Sequence, residues 1–126
     1  MDPSRTRGPV LLIDDDPAYR YTVSRWLQQG GYEVVTAASG TEALEHLRKA
    51  EVLPRLILLD ILMPEMDGNA FRWEQLGDPR LQGIPVVVLT MLGAYDPRAL
   101  GGYFRAYCPK SVDRETLLQL VAQHCH

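Results

Sequence analysis

The amino-acid sequence predicts an α/β fold, a three-layer α/β/α sandwich on a five-stranded, parallel, doubly wound sheet. Two observations carry this expectation. Aliphatic runs without polar alternation recur at Val10–Ile13, Leu56–Leu59 and Val86–Leu89, the pattern of strands covered on both faces. Stretches with helical spacing of apolar residues lie between them, so each strand reaches a parallel neighbour through a crossover helix. A chain of 126 residues forms one domain, placed here at residues 9–126. Residues 1–8 carry no apolar pattern and are expected to be a disordered lead-in.

The elements follow in order. The first strand covers about Val10–Asp14; Asp16 then suits a helix N-cap and Pro17 the first helical position. Tyr19, Val23, Trp26 and Leu27 form an apolar stripe at i, i+4, i+7 and i+8, and Gly30-Gly31 ends that helix. The second strand is Glu33–Ala37. Ser39 and Glu42 make a capping box for a helix to about Ala50, with Ala43, Leu44 and Leu47 inward. The third strand is Arg55–Asp60, and the loop Ile61–Asp67 leads to a helix at Gly68–Leu76. Gly77-Asp78-Pro79 and Gly83-Ile84-Pro85 punctuate the way to a fourth strand, Pro85–Thr90. A fourth helix is expected within Met91–Gly102, weakened by Gly93, Pro97, Gly101 and Gly102. The fifth strand lies near Arg105–Cys108, and the last helix runs from about Asp113 to His124 with Leu117, Leu120 and Val121 buried.

Composition narrows the function. Hydrophobic residues are 46% and charged residues 23%, ordinary for a soluble globular protein. A net charge of -3 leaves no basic footprint for nucleic acid. No run is long enough to span a membrane, and Met1-Asp2-Pro3-Ser4-Arg5 is no signal peptide, so a cytoplasmic location is expected. Cys108 and Cys125 lack CxxC spacing and are expected to be free thiols.

The informative polar residues sit at strand ends. Asp14-Asp15-Asp16 follows the first strand, Asp60 ends the third, Thr90 the fourth, and Lys110 follows the fifth. In a parallel sheet the carboxyl ends share one edge, where ligands bind. Clustered carboxylates raise one another's pKa unless a cation compensates, and an all-oxygen acidic site suits Mg2+. One carboxylate can then take a phosphoryl group as an acyl phosphate while the others hold the metal. A hydroxyl and an ammonium can bind the phosphoryl oxygens. Asp60, Asp15, Thr90 and Lys110 fit these roles. Taken singly, each residue also has a plainer explanation, as loop, cap, β-former or solvated lysine; their joint occurrence in order decides.

The motifs LLIDDDP at 11–17, LILLDILMPEMDG at 56–68, PVVVLT at 85–90 and YCPK at 107–110 resemble those of response regulator receiver domains of two-component signalling, the chemotaxis-regulator-like type. That resemblance implies a flavodoxin-like sheet of order 2-1-3-4-5. It implies Asp60 as phosphoacceptor, with Asp14, Asp15, Asp60 and the backbone carbonyl of Leu62 around Mg2+. Thr90 and Lys110 would then bind the phosphoryl group, and Tyr107 would be the switch aromatic. The implied partners are a sensor histidine kinase or histidine phosphotransfer protein, and an output domain or partner protein at the face of the fourth helix, fifth strand and last helix. No enzyme activity beyond self-catalysed phosphotransfer and dephosphorylation is implied. The chain departs from the family pattern at Ser111, where a cis-linked proline is usual, at Met91, and in a short Thr90–Lys110 segment. Lys110–Ser111 is therefore expected to be trans, since a non-proline cis bond costs about 3 kcal/mol. These departures keep open a phosphorylation-independent interaction module. An aspartate-nucleophile phosphohydrolase is opposed by Leu62, which stands where that class has its general acid.

Other residues invite weaker readings. His124-Cys125-His126 is expected to be a frayed helix end rather than a metal site, because adjacent helical side chains diverge. His46 is expected to be solvated, Trp26 and Trp73 to be core. Tyr95 and Tyr103 could serve either core or partner surface.

Overall fold

A computed structural model describes residues 9–61, 68–90 and 104–125. The elements are β1 (Pro9–Ile13), α1 (Pro17–Gln29), β2 (Glu33–Ala37), α2 (Gly40–Lys49), β3 (Leu56–Asp60), α3 (Gly68–Leu76), β4 (Val86–Thr90), β5 (Ala106–Pro109) and α4 (Arg114–His124). The strands are parallel in order β2-β1-β3-β4-β5, the doubly wound sheet expected. Expected boundaries move little: Arg55 and Pro85 stand just outside their strands, and β5 starts and ends one residue later. The lead-in at 1–8, the loop including Leu62, the expected fourth helix with Met91 and Tyr95, and Tyr103 and His126 lie outside the described residues.

Alternation along the strands builds two cores. Leu11, Ile13, Ile57, Leu59, Val86 and Val88 face α2 and α3, meeting Ala43, Leu44, Leu47 and Phe71. Val10, Leu12, Leu56, Leu58, Val87 and Leu89 face α1 and α4, meeting Val23, Leu27, Leu117 and Val121. Both faces of the sheet are thus covered, which is why its strands read as unbroken aliphatic runs.

Local chemistry sets the helix ends. Asp16 caps α1, its Oδ1 accepting from the Ala18 N–H at 3.0 Å. At the other end the Gly31 N–H donates to the Gln28 carbonyl and the Tyr32 N–H to the Leu27 carbonyl, both at 3.0 Å. Gly31 has φ 91°, so this is a Schellman ending that needs glycine. Ser39 Oγ accepts from the Glu42 N–H at 3.1 Å, while Glu42 reaches back to the Ala38 N–H, one residue beyond the usual capping box. Arg80 donates to the carbonyls of Leu47 and Ala50, supplying partners at the end of α2.

Three side chains correct or refine the expectations. Trp73 is 78% exposed rather than core. Phe71 is the buried anchor of α3 and Gln75, four residues on, shares its face, so Trp73 lies about 200° round from Phe71. Trp26 is half-buried against the α1–α4 core, as expected, whereas His46 is half-buried rather than fully solvated. The last helix runs through His124, and the Cys125 N–H donates to the Val121 carbonyl at 2.8 Å.

Candidate functional site

Parallel pairing brings the predicted residues to one edge. Ile13 pairs with Leu59, Asp60 with Leu89 and Thr90 with Pro109, so Asp14, Asp60, Thr90 and Lys110 emerge at neighbouring strand ends. The Asp14 N–H donates to the Ala37 carbonyl at 3.1 Å, carrying the β1–β2 ladder one residue past the strand. The Lys110 N–H donates to the Thr90 carbonyl at 2.8 Å, which ties the turn after β5 to the end of β4. The Lys110–Ser111 peptide is trans, as expected.

The side chains then converge. Asp14 is fully buried and Asp60 nearly so, while Asp15 is exposed. Lys110 Nζ lies 2.7 Å from Asp14 Oδ2 and 3.3 Å from Asp60 Oδ2. Burial opposes charge on this lysine, but pairing with Asp14 and then Asp60 outweighs it and pushes the ammonium above its usual pKa. Two buried carboxylates are tolerable here because a cation stands between them.

One carboxylate oxygen from each of Asp14, Asp15 and Asp60 lies within 4.8 Å of the others. Asp14 Oδ2 faces the Lys110 ammonium at 2.7 Å, and a carboxylate oxygen has a second lone pair to offer a cation. Its Oδ1 accepts from the Asp16 N–H at 2.9 Å, which fixes the carboxylate plane. This hard-oxygen set fits a divalent ion such as Mg2+. Thr90 is half-buried at the same edge. Tyr107 is half-buried on β5, its ring edge-on to Phe104 with centroids 6.3 Å apart. The Leu62 carbonyl lies outside the described residues.

Two residues at this edge were not singled out from the sequence. Arg20 Nη1 donates to the Asp14 carbonyl at 2.6 Å, bracing the loop between β1 and α1. By pattern Tyr19 belongs to the apolar stripe of α1, yet its ring centroid lies 4.8 Å from Lys110 Nζ. Burial, then the charges of Cys108, Asp14 and Asp60, push its phenol well above the usual tyrosine range, so it stays protonated. The readable signal was position: the first turn of a helix leaving the acidic loop overlooks the carboxyl edge of the sheet.

A parallel, doubly wound sheet of order 2-1-3-4-5 with a lysine-bridged acidic pocket at its carboxyl edge defines a class of flavodoxin-like α/β domains. The comparisons narrow it: the family model described as the response regulator receiver domain matches residues 10–122, and the chain belongs to that family, a receiver domain of two-component signalling. The response regulator Rre1 of Synechocystis sp. is 40% identical over 93 residues, covering 73% of this chain. The chain spans only 39% of that relative's length. A CheY-like receiver domain protein from Methanospirillum hungatei superposes with a TM-score of 0.83 at 32% identity, covering 94% of each chain. Chemotaxis protein CheY4 of Vibrio cholerae gives 0.81 at 32% identity, covering 93% of this chain and 98% of its own. No helix among the described residues is long and apolar enough to cross a membrane.

Proposed function

We propose that this receiver domain accepts a phosphoryl group on Asp60 from a sensor histidine kinase or histidine phosphotransfer protein, with Mg2+, and acts as a cytoplasmic signalling switch. The observation that supports this most directly is the Lys110 ammonium standing between buried Asp14 and Asp60, with Asp15 completing the acidic set. Asp60 ends the central strand β3, between the acid pair and Lys110. Its carboxylate oxygen attacks phosphorus, the bond from phosphorus to the donor imidazole nitrogen breaks, and the electron pair leaves with the imidazole. Asp14, Asp15 and Asp60, together with the Leu62 carbonyl, are the groups to hold Mg2+, which when bound neutralises charge on the phosphoryl oxygens. Lys110, already beside Asp60, pairs with a phosphoryl oxygen, and the Thr90 hydroxyl donates to another. Tyr107 follows Thr90 as the switch aromatic. An output domain or partner protein then reads the face that includes β5 and α4. The domain acts on no external substrate beyond its phosphodonor.

The test is labelling with acetyl phosphate and Mg2+, followed by hydroxylamine, which cleaves acyl phosphates. The parent should carry one labile phosphate and Asp60→Asn none. Undiminished labelling of Asp60→Asn would overturn the assignment. Labelling of neither protein, together with no tightening by beryllium fluoride, would instead identify a phosphorylation-independent interaction module.

A further inference from the structure

We propose that Tyr19 is a positioning residue for Lys110, its ring face holding the ammonium against the acid pocket. Lys110 follows β5, whereas Asp14 follows β1, and two strands, β3 and β4, separate them in the sheet. The lysine side chain therefore crosses the carboxyl edge on a flexible stem. Asp14 and Asp60 draw its ammonium from one side at 2.7 and 3.3 Å, and the Tyr19 ring meets it at 4.8 Å. The ring comes from the first turn of α1 and packs against the core shared with α4, so it is not free to swing away. An ammonium over an aromatic face is attracted by the ring quadrupole, most strongly where water is excluded, and the Lys110 side chain is only 15% exposed. An aliphatic side chain in the same place keeps the packing and loses that attraction. Phenylalanine keeps both, because the face and not the hydroxyl makes the contact.

The consequence for phosphotransfer rests on the reading of Asp60 as phosphoacceptor; the placement of Lys110 does not. An ammonium held beside Asp60 before the donor arrives needs little reorganisation when charge develops on the phosphoryl group.

The chain has two lysines, and Lys49 is exposed, so it serves as an internal reference. Lys110 acetylation by acetic anhydride, measured by mass spectrometry against Lys49, should rise about three- to tenfold in Tyr19→Leu. Tyr19→Phe should restore parental protection. Asp60 labelling by acetyl phosphate should slow by about three- to tenfold in Tyr19→Leu and recover in Tyr19→Phe. Thermal melts establish that each variant folds, and Tyr19→Met replaces Tyr19→Leu if that variant fails to. Equal Lys110 protection in the aliphatic and phenylalanine variants would overturn the proposal. A leucine–phenylalanine split in protection, with no labelling of Asp60 in any protein, would uphold the role of Tyr19 and reject the phosphoacceptor reading instead.

Discussion

The ammonium of Lys110 lies closer to Asp14, at 2.7 Å, than to Asp60, at 3.3 Å. Its nearer partner is thus the fully buried carboxylate of the acid pair, not the proposed phosphoacceptor. Removing the lysine leaves both buried carboxylates without this counter-charge. Lys110→Ala should lower stability by about 2–3 kcal/mol in metal-free urea denaturation, and added Mg2+ should recover more in the variant than in the parent. Equal Mg2+ responses would show that lysine and cation do not serve the same carboxylates.

Gln75 should matter to stability although it is remote from the site. It is fully buried on α3, and its Nε2 donates to the carbonyls of Leu81 and Ile84 at 2.9 and 3.0 Å. Its Oε1 accepts from Arg72 Nη1 at 2.8 Å. Gln75→Leu keeps much of the volume but removes these three hydrogen bonds, so it should cost about 2–3 kcal/mol by urea denaturation. A cost below about 0.5 kcal/mol would mean water replaces the amide there.

The adjacent glycines at the end of α1 should respond differently to alanine. Gly31 at φ 91° holds the Schellman ending, so Gly31→Ala should cost about 1–2 kcal/mol. Gly30 has an ordinary φ of -81°, and an added Cβ comes closest to Leu118 Cδ2, at 2.8 Å, with the Leu27 carbonyl oxygen in ordinary contact at 3.4 Å. That methyl ends a flexible side chain, so Gly30→Ala should cost less than about 1 kcal/mol. Thermal melts that reverse this order would refute the backbone argument.

The start of α4 should be acid-sensitive. Asp113 Oδ1 accepts from the Thr116 N–H at 2.8 Å, and its bonding to Thr116 holds the carboxyl below its usual pKa. A carboxyl depressed in the folded state stabilises above its unfolded pKa, about 3.9, and loses that contribution as pH falls through the folded value. Amide exchange at Thr116 should therefore accelerate over that acid range relative to the buried β3 amides, and Asp113→Asn should flatten the difference. An unchanged pH profile in Asp113→Asn would place the sensitivity elsewhere.

The two cysteines should separate by burial. Cys108 is 2% exposed on β5, and burial pushes its thiol up, whereas Cys125 is half-buried at the end of α4. A thiol reagent at pH 8 should modify Cys125 well before Cys108, which should react only on unfolding. Similar rates at both would contradict the packing of β5 against α4.

The acidic edge was legible in the sequence because each of its residues terminates or follows an aliphatic run. Parallel strands turn that linear fact into proximity, with no further information needed about Asp14, Asp15, Asp60, Thr90 and Lys110. The helices were harder to read. The three turns at most of α3 hold one large buried apolar side chain, Phe71, too few to mark the inward face, so the sequence pattern alone does not show that Trp73 faces outward. Gln75 gave no signal either, since its value comes from carbonyls six and nine residues away.

From the sequence alone came the order and type of the described elements, the sheet's covered faces and the cluster of acids at one edge. These depend on periodicity and on strand ends, both local properties of the chain. Which partner Lys110 prefers, that Tyr19 closes over it, and that Arg20 braces Asp14 were decided only by tertiary structure. Those relationships join β1, α1 and β5 across the sheet edge, and their distances depend on how the helices seat on the strands, which no local pattern encodes.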